Sequence, residues 1–294
     1  YNMGNALKGI RFSKSEPHMS EIICTIIEKN NLVRPIEISE TVISLLKLEP
    51  TIKKLIKKQK EESLPLSLQN TIISLSNIPL LMKILESCPI PDLDIEFLLR
   101  EIRSELLLNL SGVQDNTDIL LFQISLAAQC FINEYLYEKT DIEIQQIIKL
   151  EDLVENNLVK GNFPTANVIA CLASYKSLGD YSWASSLSMP IELESLYRKQ
   201  ILEPKEENTL RSTISKHKAI TDIISSKVRE QYEQNPYPRW MSLQLQPFPK
   251  SITELASQLN LKIQDSSING VNAPKVLIAG CGTGQQSIGS AIRL

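Results

Sequence analysis

The chain has 294 residues, of which 43% are apolar and 22% charged, with 31 basic and 34 acidic side chains and a net charge of −3. That apolar content excludes a disordered chain, and the length favours about two domains. No apolar run approaches the roughly 18 residues that a membrane helix needs, and the near-balanced charge gives no chain-wide pull towards phosphate backbones.

From Pro17 to about Leu261 the apolar spacing is helical almost throughout. Ile22, Ile23, Ile26 and Ile27 repeat on one face, and Pro35 occupies a first helical turn that continues through Ile38, Val42, Leu45 and Leu46. The same pattern predicts helices over Leu66–Ser76, Pro79–Glu86, Asp94–Leu110, Asp118–Tyr137 and Asp141–Asn157. Asn116-Thr117 and Thr140-Asp141 supply starting caps, and Gly112 and Gly161 stand where helices should stop. Further helices are expected over Pro164–Leu178, Ile191–Ile201, Glu206–Ile214 and Thr221–Gln234. The stretch Ile119–Ile132 is the most apolar, and Gln123, Ser125 and Gln129 within it mark a buried helix rather than a membrane span.

After residue 234 the character changes. Asn235-Pro236-Tyr237-Pro238-Arg239-Trp240 is closed to helix, because proline removes an amide donor and restrains the residue before it. Ser251 followed by Glu254 forms a capping-box pattern that opens a helix to Leu261. Five of the ten glycines lie at Gly270 or beyond. There Lys275–Ala279 reads as a short buried strand, followed by Gly280-Cys281-Gly282-Thr283-Gly284-Gln285 and a helix over Gln286–Leu294. The expected organisation is therefore residues 1–9, an α-helical domain over 10–234, a linker over 235–250 and a distinct final unit over 251–294.

Most of the chemistry-bearing residue types have plain structural roles. Cys24, Cys88, Cys130, Cys171 and Cys281 are widely spaced and odd in number, which suits neither a disulfide framework nor a zinc site. Their free state points to a reducing, cytoplasmic setting. His18 and His217 sit in polar surroundings as surface histidines. The lysines between Lys53 and Lys60 form a solvated helix face, and Asp92, Asp94 and Glu96 open a helix whose dipole favours acids. No metal or nucleophile-and-base arrangement is visible, and no catalytic residue is assigned.

A strand, a glycine-rich turn and a helix start make a ligand-binding unit. Glycine lets the backbone approach a ligand closely, and the helix start offers unpaired amides. A dinucleotide fingerprint needs its third glycine at the sixth position, where this chain has Gln285. Glycines at the first, third and fifth positions, in Val276-Leu277-Ile278-Ala279-Gly280-Cys281-Gly282-Thr283-Gly284-Gln285, instead resemble the first motif of class I S-adenosylmethionine-dependent methyltransferases. Gln231–Trp240 resembles the linker of bacterial methyltransferases fused to tetratricopeptide repeats, and Tyr1–Leu7 resembles a stub of one such repeat helix, as if cut from a longer chain.

The resemblance implies a mainly α protein, in which a long helical domain precedes the start of a Rossmann-like α/β methyltransferase domain. It implies S-adenosylmethionine as cofactor, held by Gly280, Cys281, Gly282, Thr283, Gly284 and Gln285, with any general base beyond Leu294. Upstream repeats would imply a protein partner or protein substrate. The family often carries an acid two positions before the first glycine, and this chain has Ile278 there. Tyr237, Arg239 and Trp240 either line the cofactor cleft or dock one domain on the other. The rival function is a helical protein-interaction module with a vestigial turn. The small side chain of Cys281 fits the turn without a role of its own.

Overall fold

The computed structural model describes residues 2–29, 32–61, 68–112, 116–187, 190–213, 222–234 and 249–294. It is mainly helical, with no strand among the described residues. Helix α1 (Asn2–Ala6) precedes α2 (Pro17–Glu28), and a 3-10 turn over Pro35–Ile38 leads into α3 (Ser39–Leu46). Then come α4 (Pro50–Lys60), α5 (Leu68–Ser76), α6 (Pro79–Leu85), α7 (Leu93–Leu108), α8 (Thr117–Ile132) and α9 (Asp141–Val159).

Two apolar clusters hold this body together. The first gathers α1 to α6 against α7 and α8, from Leu7 and Ile23 through Leu46, Leu75 and Ile84 to Phe122 and Cys130. The opening residues belong to it: Leu7 is buried, its carbonyl accepts from Thr41 Oγ1 at 2.6 Å, and a Cβ on Gly4 would stand 3.0 Å from Val33 Cβ. The second cluster joins Leu107, Ile124 and Ala127 to α9, to α10 (Ala166–Ala173) and to Trp183, Leu193, Leu196 and Ile201.

Helix α8 serves both clusters, and two of its buried polar residues find partners on α6 and the residues after it. Ser125 donates to Glu86 Oε1 at 2.6 Å. With its amide turned to donate, Gln129 reaches the carbonyls of Leu85 and Cys88 at 3.0 and 3.1 Å, closing the end of α6. Most buried polar groups have such partners, but the side-chain amide of Gln123, buried in the same helix, has none among the described residues.

The predicted stops and starts are met at several places. Asn116 and Thr140 cap α8 and α9, and Thr140 with Glu143 completes a capping box. Gly161 follows the end of α9 at φ +78°, the left-handed conformation that glycine adopts freely.

Three expected helix boundaries are corrected. Helix α8 stops at Ile132 instead of reaching Tyr137, because Glu134 and Tyr135 both turn left-handed, at φ +58° and +56°, and the Tyr135 amide bonds the Cys130 carbonyl. Helix α10 stops at Ala173 rather than Leu178, where the Ser174 hydroxyl takes the Cys171 carbonyl. The apolar spacing of Leu172, Tyr175 and Leu178 continues past that end as ordinary core packing.

The third correction joins two predicted helices into one. Helices α11 (Glu194–Tyr197) and α12 (Glu203–Thr213) are continuous through a π-helical turn over Arg198–Leu202. Proline at 204 can give no hydrogen bond to the carbonyl of Gln200 and would clash with it in a regular helix. The wider turn removes the clash. The freed carbonyl accepts from Ser177 Oγ at 3.3 Å, while the buried Gln200 side chain takes the Leu178 amide at 3.0 Å.

Beyond α13 (Ile223–Gln234), the described chain resumes with α14 (Ile252–Gln258), capped by Ser251 and Glu254 as predicted, and α15 (Gln285–Arg293). Among the described residues from 249 onwards, Ala256 alone is buried. The expected strand at Lys275–Ala279 is corrected as well. It forms no ladder, and Leu277 is 94% exposed, since a strand needs a neighbouring strand and no described segment offers one.

Candidate functional site

The glycine motif forms a tight turn onto the start of α15. Gly280, Gly282 and Gly284 have φ of +70°, +52° and +85°. All three lie in the region that other L-residues enter only at a cost. A Cβ at any of them would meet nothing within 4 Å, so backbone conformation and not crowding calls for glycine here. The Gly284 amide closes the turn on the Cys281 carbonyl at 2.9 Å, and the Gly284 carbonyl starts the helix by accepting from Ile288 at 3.0 Å.

No side chain caps this helix start. The first amides of a helix point outwards with a partial positive charge, so the turn presents donors to an electron-rich group. Cys281 is exposed beside it, its Sγ 3.8 Å from the Gly282 carbonyl. Thr283 and Gln285 are half-buried. Gln285 also lines a cleft of about 450 Å³ between α14, α15 and Arg34, whereas the glycines lie outside that lining. Tyr237, Arg239 and Trp240 lie outside the described residues, as does His217.

The other candidate residues take up structural roles. Asp92 caps α7 by accepting from the Ile95 amide at 3.1 Å, and Asp94 pairs with Lys47 and Lys60 at 3.0 and 2.9 Å. Hydrogen bonds from Lys60 and then Lys47 hold the Asp94 carboxyl below its usual range. Helix α4 buries Ile52, Leu55 and Ile56 and turns Lys53, Lys54 and Lys57 to solvent. His18 is exposed beside Glu21. Burial pushes the thiols of Cys88, Cys130 and Cys171 up to about 12, which leaves them protonated and inert as nucleophiles. No group of residues able to hold a metal ion occurs among the described residues.

One ionic cluster was not legible in the sequence. Arg103 of α7 is fully buried, with its guanidinium 4.3 Å from the Tyr175 ring centre and 5.7 Å from that of Tyr137. It donates to the Glu138 carbonyl at 2.7 Å and lies 3.6 Å from Glu143 Oε1. That same oxygen is 2.7 Å from the Tyr175 hydroxyl, and Glu143 Oε2 accepts from the Thr140 amide at 2.8 Å. Burial opposes ionisation of Glu143, but the Thr140 amide, the Tyr175 and Thr140 hydroxyls and the Arg103 charge outweigh it and hold the carboxyl below its usual range. Burial and then the bond to Glu143 push the Tyr175 hydroxyl up.

This cluster ties α7 and α9 to the segment after α10. Arg103, Glu143 and Tyr175 are all fully buried, which makes the cluster part of the packed interior. The three groups are 72 residues apart at the extremes, and no spacing rule connects them. No family model, curated protein or solved structure matches the chain.

Proposed function

We propose that the chain carries the cofactor-gripping turn of an S-adenosylmethionine-dependent methyltransferase, preceded by a helical body. The observation that carries this reading is the turn itself: three left-handed glycines with open space at each Cβ, set directly before the uncapped start of α15. Backbone without side chains lets a bulky ligand approach to contact distance, and the helix start favours its electron-rich end. When bound, S-adenosylmethionine supplies a methyl group that a substrate nucleophile attacks in line with the departing sulphur.

The chain's own part is then to bind and orient. Gly280 and Gly282 offer backbone amides at the turn, Gly284 closes it on the Cys281 carbonyl, and Gln285 stands at the first helical position with a polar side chain beside them. Ile278, in the place of an acid, leaves the cofactor's polar groups to be met by these amides instead. The test is calorimetric titration of S-adenosylmethionine into the full chain and into Gly282→Val. Valine at φ +52° distorts the turn and fills the open space, so binding is expected to vanish while the helical signal stays. Equal affinity in both proteins would rule the turn out as the binding site.

A second reading, a helical protein-interaction module, is favoured by one observation. Helix α9 and the residues after it expose Ile142, Ile148, Leu153, Val159 and Phe163, at 69%, 48%, 53%, 88% and 62%. It requires that S-adenosylmethionine not bind and that Leu153→Glu abolish association with a protein partner.

A further inference from the structure

The chain contains a single Asn-Gly pair, Asn269-Gly270, in the loop between α14 and α15. Asparagine is thermally labile, because its side-chain carbonyl carbon lies within reach of the backbone nitrogen of the next residue. That nitrogen attacks where it has room, where no hydrogen bond holds it, and where the main chain can rotate. Asn269 meets all three conditions, and none of them rests on the methyltransferase reading.

The pair follows the 3-10 turn over Ser266–Ile268, and both residues are exposed. Gly270 has no side chain, and a Cβ built there would meet nothing within 4 Å, so nothing crowds its amide. The Asn269 amide bonds the Ser266 carbonyl at 3.1 Å, and the Val271 amide bonds the Ile268 carbonyl at 3.3 Å. Between these two, the Gly270 amide donates to nothing among the described residues, and the Asn269 side chain bonds nothing there. Asn269 stands at φ −63° and ψ −26°, which turns the next nitrogen away from its side chain. Rotation about the Cα–C bond brings the two together, and the bond that it breaks, from Val271, is a long one. Glycine on the far side accepts whatever φ results. Asn272 supplies the contrast: it is exposed in the same loop but is followed by Ala273, whose Cβ hinders the approach.

We infer that Asn269 is a site of spontaneous deamidation. The Gly270 nitrogen, after losing its proton to hydroxide, forms a bond to Cγ of Asn269. The Cγ–Nδ2 bond breaks, and ammonia leaves with a proton taken from water, which restores the hydroxide. The product is a five-membered cyclic imide. Water then opens that ring at either carbonyl, at Cγ to give aspartate or at the main-chain carbon to give isoaspartate. Water is the co-reactant, and nothing is oxidised or reduced. Either product adds a negative charge, and isoaspartate also lengthens the main chain by a methylene ahead of Lys275–Ala279.

Incubation of the full chain at mildly alkaline pH, followed by tryptic mapping, tests the inference. Cleavage after Lys262 and Lys275 releases one peptide, residues 263–275, which holds both Asn269 and Asn272. That peptide is expected to gain about 1 Da, to resolve into aspartyl and isoaspartyl forms, and to carry the gain at residue 269 on fragmentation. The rate should lie within about threefold of that in the free peptide of the same sequence, because the loop opens without unfolding a core. Gly270→Ala should slow the reaction at least about tenfold, since the new Cβ hinders the attacking nitrogen. Gly270 is not left-handed and has open space beside it, so circular dichroism should show the variant folded. An unmodified Asn269 in the folded chain while the free peptide converts would overturn the inference, and so would conversion at Asn272 as fast as at Asn269. An unchanged rate in Gly270→Ala would overturn the role given to the missing side chain.

Discussion

Two glycines packed inside the helical body serve a purpose opposite to that of the glycine turn in the final unit. In the body, Gly4 and Gly179 are places of contact: a Cβ would stand 3.0 Å from Val33 Cβ at the first and 2.6 Å from the Gln200 carbonyl oxygen at the second. In the final unit, a Cβ at Gly280, Gly282 or Gly284 would touch nothing, and their left-handed φ values alone demand glycine. Gly4 and Gly179 thus let parts of the body approach closely, whereas Gly9 and Gly161 are left-handed with open space beside them. In the final unit three such glycines fall within five residues and leave room beside one turn, which is what the proposed ligand site requires.

The same contrast extends to charge. Arg103 and Glu143 are buried inside the body, within a net of carbonyls and aromatic rings. Arg293 lies on an open cleft. Removing one member of a buried pair leaves the other charge stranded, so Arg103→Met is expected to cost about 3–5 kcal/mol in urea unfolding. Adding Glu143→Gln should recover part of that loss, because the stranded charge is gone. A single substitution costing under about 1 kcal/mol would show that the cluster is not a fastening of the body.

Gly179→Ala probes the close contacts of the same body. The new methyl group meets a backbone oxygen, which cannot swing aside as a flexible side chain would. A loss of about 1–3 kcal/mol is expected from overpacking. The π-helical turn that carries Gln200 should be displaced first, which hydrogen exchange at the amides of Leu178 and Ile201 would report.

Acid reaches the body through Glu143. Its carboxyl titrates lower in the folded chain than in the unfolded one, so the unfolded chain takes up the proton first. Its contribution is full above the ordinary glutamate range near 4.5 and is lost as pH falls through the lower folded value. Stability should therefore decline on acidification below about 4.5, and Glu143→Gln should flatten that part of the profile. An unchanged slope in the variant would assign the acid sensitivity to other groups.

These residues also mark how far the sequence could be read. Periodicity gave the helices of the body, and short local signals gave their caps, as at Asn116, Thr140 and Ser251. It failed where chain-distant partners decide. Apolar spacing runs past the end of α10 because Leu178 is core without being helix, and no residue in Asn133–Tyr135 announces two left-handed conformations. The break expected near Pro204 is absent because Ser177 and Gly179 make room for a π-helical turn. At the candidate site the glycine turn and the helix after it were legible, being local. The ladder expected at Lys275–Ala279 was not, since it depends on a neighbour that periodicity within a strand cannot reveal.

That missing ladder gives the smallest expected effect and the sharpest version of the contrast. Leu277 belongs to the most strand-like run in the chain, yet 94% of its surface is exposed. Hydrophobic stabilisation follows area removed from water, so a leucine that buries almost none contributes almost none. Leu277→Ser should shift the unfolding free energy by no more than about 0.5 kcal/mol. Truncating the fully buried Leu75 to alanine should cost about 2–5 kcal/mol, because it empties a closed core. A cost at Leu277 near that of Leu75 would mean that its side chain is covered in solution. In that case Lys275–Ala279 would be a paired strand in the working protein, and the final unit would share the body's mode of stabilisation.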